Sequence, residues 1–267
     1  MLAMTNKNSR FFLKTSLILL SCFSSLVFMS TSASAQSTGA APSSRNFDYK
    51  NGRYHLTYHD LPDSQVITYS GEILMQTPQN GLSLLAQSIV PNKPIIFLIS
   101  TSGGGVHSTY QKFESILRGA CPKENCHITT YVYDLCASAC VELSMVGDHR
   151  VVARRALFGF HRTYVGFGPF TTVIQSKKKF IAMYVGLGVD PEWMNKNVDE
   201  LISDQKDCVW VSVVDLKNAR FADEIDLDES YFNQFRSVVP EDFYQLYSPG
   251  AKPTYFQSSI ELNDGTV

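Results

Sequence analysis

Two short stretches of this 267-residue chain carry side chains suited to acyl chemistry, Ala137-Ser138-Ala139 and Gly159-Phe160-His161-Arg162. A serine hydroxyl becomes a useful nucleophile when a base takes its proton, and a neutral imidazole is well matched to that task near neutral pH. A third stretch, Ser100-Thr101-Ser102-Gly103-Gly104-Gly105-Val106, lets the backbone approach a reacting group closely and offers N–H groups at a helix start. Each feature also has an ordinary reading. Ser138 fits a helix N-cap, His161 a hydrogen-bonded structural histidine, and the glycines a tight strand-to-helix turn.

The elements around these stretches decide where they sit. Pro94-Ile95-Ile96-Phe97-Leu98-Ile99 is a continuous apolar run, the pattern of a parallel strand covered on both faces, and it leads into the glycine turn. A helix is predicted over 106–118 and a strand over 128–133 leading to Ser138. A helix over 138–146, a strand over 150–153 and another over 156–161 follow, the last ending on His161. Before them come a strand over 66–69 and a helix over 82–89. Residues 171–187 read as the longest helix, with Val173, Ile174, Ile181, Tyr184 and Val185 on one face. A strand near 209–211, a helix over 212–219 and a strand near 224–225 close the series. Strands alternating with helices imply βαβ units and a mostly parallel sheet, whose functional residues gather at the carboxyl ends of the strands. No internal repeat is present.

The N-terminus reads as a targeting segment. Lys7, Arg10 and Lys14 precede an uncharged stretch from Ser16 to Met29, and Ala33-Ser34-Ala35 supplies a small-x-small cleavage site. Leu19-Leu20-Ser21-Cys22 resembles a lipoprotein box, but apolar sequence continues past Cys22. A periplasmic or secreted protein is expected, its signal peptide spanning residues 1–35. Removing those residues leaves 232, with 20 Lys+Arg against 25 Asp+Glu, a net charge of −5. So small and dispersed an excess gives no reason to expect nucleic acid or an anionic membrane as partner. Residues 36–64 read as a linker and an edge segment with strand-like alternation over 53–59, residues 65–228 as the main domain, and 229–267 as an aromatic, proline-containing tail. Export permits disulfides. Cys121, Cys126, Cys136, Cys140 and Cys208 make an odd count, with Cys121/Cys126 and Cys136/Cys140 the sequence-local pairings. A zinc site using these cysteines with His127 or His149 has poor spacing.

Taken together and in this order, the motifs resemble the ClpP/crotonase superfamily. Thr101-Ser102-Gly103-Gly104 stands in the place of the Ser-Pro-Gly-Gly turn and Ala137-Ser138-Ala139 in that of the nucleophile. Gly147-Asp148-His149-Arg150, Ala156 and Gly159-Phe160-His161-Arg162 follow as in the segment that ends on the histidine. The form Cys136-Ala137-Ser138-Ala139-Cys140 looks most like uncharacterised periplasmic ClpP-related bacterial proteins. The resemblance covers roughly residues 65–226 and implies an α/β fold of stacked ββα units with a mostly parallel sheet. It also implies a serine-hydrolase site. Ser138 would be the nucleophile and His161 the general base, with the N–H groups of Ala139 and of Gly103 or Gly104 forming an oxyanion hole. The acid is less direct. Aligning on Trp210-Val211-Ser212 puts Cys208 in its place and Asp207 one residue early, so Asp207 is the candidate and Asp204 the fallback.

No cofactor or metal is implied. The expected partner is a peptide or protein substrate, with a homo-oligomer possible. Nothing resembles a docking loop for an ATP-driven unfoldase, and Ser102 replaces the proline of the glycine turn. Other readings use the same fold: a Ser–Lys peptidase with Lys177, Lys178 or Lys179 as base, a crotonase-type acyl-CoA enzyme, and a non-catalytic assembly or binding module. The targeting segment makes the first testable point. Mass spectrometry of the exported protein should find its N-terminus at Gln36, and a diacylglyceryl adduct on Cys22 would refute that assignment.

Overall fold

Among the described residues, nine strands form one sheet around the apolar run that the sequence marks as central. The structure, a computed structural model, describes residues 45–73, 79–103, 107–165, 172–202 and 208–244. Strands β1 (Phe47–Lys50), β2 (Tyr54–Asp60) and β3 (Gln65–Glu72) pair antiparallel in succession. Helix α1 (Gln79–Ser88) then leads to β4 (Ile95–Gly103), which pairs parallel with β3. Helix α2 (His107–Ala120) connects β4 to β5 (Ile128–Ala137), again parallel. After the short α3 (Ala139–Ser144) come β6 (His149–Ala153) and β7 (Leu157–Phe160). These two share one neighbour. Thr129 to Val132 of β5 pair with His149 to Val152 of β6, while Leu135 to Ala137 pair with Leu157 to Gly159 of β7.

The fully covered central strand expected at Ile95–Ile99 is present, and its alternation divides the interior. Ile95, Phe97 and Ile99 enter the larger core beneath α1, α2 and α3, while Ile96 and Leu98 enter a second core on the other face. That second core is capped by a segment with no period in the sequence. Helix α7 (Ser230–Asn233) and 3-10 turns at Arg236–Val238 and Glu241–Tyr244 bring Phe232 and Phe243 against Tyr131 and Tyr133. Asp226 anchors it, accepting hydrogen bonds from Tyr131 Oη at 2.9 Å and from the Phe232 N–H at 3.2 Å. Aromatic residues without periodicity here mark a lid over a sheet face.

Two stretches differ from expectation. The helix predicted over 171–187 is α4 (Lys177–Gly186) alone; before it β8 (Tyr164–Val165) and β9 (Thr172–Val173) form a separate antiparallel pair. Val173 and Ile174 match the helical spacing by coincidence: Ile174 is exposed, and Ser176 caps α4 by accepting from the Lys179 N–H. Helix α5 (Pro191–Leu201) was not anticipated, although Asp190 at its N-cap and Pro191 at its first position are an ordinary helix start. β10 (Val209–Val211) runs antiparallel to β7, α6 (Val213–Asn218) follows, and β11 (Glu224–Asp226) closes the sheet parallel to β6.

Gly147-Asp148-His149-Arg150 turns out to be structural. Asp148 receives the Arg118 guanidinium at 2.7 and 2.8 Å and the Ile128 N–H at 3.0 Å, tying α2 to the start of β5. Burial alone would raise the Asp148 carboxyl, but Arg118 and the Ile128 N–H outweigh it and hold it below the ordinary carboxylate value. Arg150 does the same for Asp223, at 2.9 and 3.0 Å. A carboxyl depressed in the folded state contributes stability above its unfolded pKa, and that contribution is lost as pH falls through the folded value. Asp148→Asn should therefore cost about 2 kcal/mol at neutral pH by chemical denaturation, with the gap to wild type closing at strongly acid pH. A gap constant across that range would show that the charge of Asp148 does not matter.

Candidate active site

The three turns singled out by residue type all lie at carboxyl ends of parallel strands. β4 ends at Gly103, β5 delivers Ser138, and β7 delivers His161. The β5–β7 ladder continues one step past Ala137, because the Ser138 N–H donates to the Gly159 carbonyl at 2.9 Å. Ser138 and His161 thus leave adjacent strand ends, with His161 two residues beyond the acceptor of Ser138.

Ser138 is an unusual residue in its backbone. Its φ of 56° and ψ of −123° place it in a region that side chains rarely adopt, at an abrupt strand-to-helix turn. Such a turn pushes a serine hydroxyl out ahead of the helix. The N-cap reading does not hold, since the Ser138 side chain makes no capping hydrogen bond to α3. The flanking cysteines close around it: Cys136 and Cys140 form a disulfide, as do Cys121 and Cys126, while Cys208 stands outside both bridges. The four bridged sulfurs are thereby removed as candidate zinc ligands.

Two glycines let the turns approach one another. Gly103 has a φ of +88°, and a Cβ there would stand 2.2 Å from the Ala137 carbonyl oxygen and 3.2 Å from Ser138 Cβ. The glycine turn is therefore pressed against the serine turn. Gly159, between β5 and β10, has no room either: a Cβ would meet Ala137 Cβ and Cys208 Cβ at 2.9 Å and Trp210 at 3.0 Å. Of the oxyanion candidates, Ala139 opens α3, where a backbone N–H has no intrahelical acceptor. The Gly103 N–H donates to Thr101 Oγ1 at 3.1 Å, and Gly104 lies outside the described residues.

His161 is half-buried, and its Nδ1 lies 2.9 Å from the Arg162 carbonyl oxygen. A carbonyl only accepts, so Nδ1 carries a proton, which in the neutral tautomer would put the lone pair on Nε2. Asp207 and Asp204 lie outside the described residues. The β7–β10 register pairs Phe160 with Val209. One step further sets Cys208 opposite His161, as the alignment on Trp210-Val211-Ser212 implies. The lysines of the Ser–Lys reading are exposed on α4, and Lys177 is paired with Asp199 at 2.6 Å. A cavity lined by Lys50, Arg53, Tyr54, His55, Ser70 and Asp242 lies apart from Ser138 and His161, its cations paired with Asp242 and Glu72.

Two further residues of the region escaped notice in the sequence. Asp134 sits where β5 bulges against β4 and changes partner from β6 to β7, and burial raises its carboxyl above the ordinary value. A charge inside an otherwise uncharged strand was its only signal. Gln175, just before the cap of α4, accepts from the N–H and hydroxyl of Thr163 at 3.0 and 3.1 Å.

No family model matches the chain, and no curated protein matches it. Among solved structures it is similar to ClpP1 from Listeria monocytogenes, with 16% identity over 59% of this chain and 91% of that one (TM-score 0.42). It is similar also to the membrane-bound stomatin-specific protease 1510-N (14%, 65% and 85%, TM-score 0.45). A third is an enoyl-CoA hydratase/isomerase from Marinobacter aquaeolei (12%, 73% and 78%, TM-score 0.46). At these identities and scores the class of fold rests on the topology, and residue roles on the geometry of this site. That topology is α/β with a mostly parallel sheet.

The backbone at Ser138 gives a direct test. Glycine tolerates a φ of 56° without strain, so Ser138→Gly should raise stability by about 1 kcal/mol in denaturant unfolding. Ser138→Ala, which removes no cap, should leave stability nearly unchanged. A loss of about 1 kcal/mol in the alanine variant would restore the N-cap reading.

Proposed function

We propose that the chain is an exported serine hydrolase acting on peptide or protein segments, with Ser138 as nucleophile and His161 as general base. The observation that supports this most is the placement of a strained, non-capping serine beside the end of the strand that carries a histidine of the right tautomer. Ser138 Oγ attacks the carbonyl carbon while His161 Nε2 takes its proton, and the imidazolium then returns that proton to the leaving amine. The acyl-serine is hydrolysed by water along the same path in reverse. The Ala139 N–H and a glycine-turn N–H, that of Gly103 (reoriented) or of Gly104, are assigned to the oxygen that becomes negative, each contributing about 3–4 kcal/mol. Two disulfides suit an oxidising compartment outside the cytoplasm. Association into a homo-oligomer belongs to the same proposal, and no ATP-driven unfoldase is required.

One observation favours a second reading, an assembly or binding module without turnover: the register sets a thiol, Cys208, at the position opposite His161. A fluorophosphonate probe separates the two. Under the hydrolase reading the wild-type protein labels on Ser138, Ser138→Ala abolishes labelling, and His161→Ala slows it at least about 100-fold. A folded wild-type protein that resists the probe at every pH would leave the module reading standing.

A further inference from the structure

His161 is held by a peptide group that is itself held. The Arg162 carbonyl lies 2.9 Å from His161 Nδ1, and the other end of the same amide, the Thr163 N–H, donates to Gln175 Oε1 at 3.0 Å. The peptide unit is planar and stiff, so a hydrogen bond at one end fixes the orientation of the other. Three more contacts lock the pair of segments. Thr163 Oγ1 donates to Gln175 Oε1 at 3.1 Å, and the Thr163 carbonyl accepts from the N–H groups of Ile174 and Gln175 at 3.0 and 3.2 Å. Gln175 Nε2 points to Met183 Sδ of α4 at 3.7 Å, which leaves Oε1 as the acceptor facing Thr163.

We propose that the Arg162–Thr163 peptide group orients the catalytic imidazole in the role usually given to a carboxylate, and that Gln175 is the positioning residue behind it. The proposal rests on the hydrolase reading of Ser138 and His161. The chain of donors runs from His161 Nδ1–H to the Arg162 carbonyl, and from the Thr163 N–H to Gln175 Oε1. Each bond polarises the next, so an acceptor on Gln175 strengthens the carbonyl that receives the imidazole proton. The carbonyl fixes the tautomer and the ring plane. Gln175→Glu would place that charge two hydrogen bonds from the ring. A negative charge there favours the imidazolium, so the pH at which His161 becomes available as a base moves up. A merely structural glutamine would not shift that pH.

The test uses the full exported chain and a fluorophosphonate, with second-order labelling rates measured against pH and histidine-selective 15N NMR on the same samples. Wild-type His161 should show its proton on Nδ1. Gln175→Leu should slow labelling roughly ten- to hundredfold and shift the Nδ1–H resonance, with the melting temperature little changed. Gln175→Glu should keep the rate within about threefold, with its pH inflection displaced upward. Asp207→Asn and Asp204→Asn should each label within about threefold of wild type. The proposal is overturned by a loss of about 100-fold in either aspartate variant beside an unaffected Gln175→Leu, or by a wild-type proton on Nε2. Wild-type protein that resists the probe would count against the hydrolase reading. The NMR tautomer and its response to Gln175→Leu would still decide the relay.

Discussion

Buried backbone groups must be paired, and strand β5 has more of them than one neighbour supplies on its right-hand side. β6 runs only as far as Ala153 and covers Thr129 to Val132. The upper half of β5, from Leu135 to Ala137, would be left open. The chain meets this need by turning through residues 154–156, fixed by the Ala156 N–H on the Ala153 carbonyl at 2.9 Å, and returning as β7 along the uncovered half. One consequence is chemical. Because β7 must lie against the last turn of β5, the residue that ends β7 comes out beside the residue that succeeds β5. The placement of Ser138 and His161 at neighbouring strand ends is a by-product of satisfying a strand.

A bend accompanies that change of partner. The β4–β5 register slips between the Ile99–Val132 and Thr101–Cys136 pairs, leaving two extra residues on β5, and Asp134 lies within the slip. A bulge re-aims the strand beyond it. Here the strand end is turned toward Gly103, and only a residue without Cβ fits so near the Ala137 carbonyl. Gly159 has the same duty on the other side, admitting Ala137, Trp210 and Cys208 around one α-carbon. The small residue before Ser138, Ala137, thus has a packing reason independent of any substrate.

This explains why the turns of the candidate site were legible in part. Glycines, the alanines flanking Ser138, and strand-terminal polar residues are local signals, and each marked a real turn at a carboxyl end of the sheet. The order of strands and helices followed from apolar runs of strand length and helical length, with Ile95–Ile99 the clearest case. Reading period across a boundary failed. Val173 and Ile174 continue the spacing of Ile181 and Tyr184, yet the Ser176 cap breaks the helix between them. Phe232 and Phe243 showed no period because they pack as a lid on a sheet face, where periodicity is not required. Gln175 was invisible for a different reason. Its contact is with a backbone amide 12 residues away, and main-chain partners leave no trace in residue types.

The turn at Ser138 depends on its covalent surroundings. A side chain held in that region of backbone space costs about 1–3 kcal/mol, which the surroundings must offset. Part comes from the Gly159 carbonyl, which fixes the Ser138 N–H at 2.9 Å, and from the Val141 N–H, which closes on the Ser138 carbonyl at 2.9 Å. The Cys136–Cys140 disulfide spans the strained residue and excludes the extended conformations to which a relaxing turn would otherwise escape. For so short a loop the constraint on the unfolded chain is worth about 2 kcal/mol, comparable to the strain itself. Under reducing conditions that constraint would be absent, and the strain at Ser138 would be offset mainly by the two hydrogen bonds and the packing around the turn. The Cys136–Cys140 bridge therefore makes the turn sensitive to redox conditions. Oxidising conditions keep the constraint on the backbone that presents Ser138, and reducing conditions remove it.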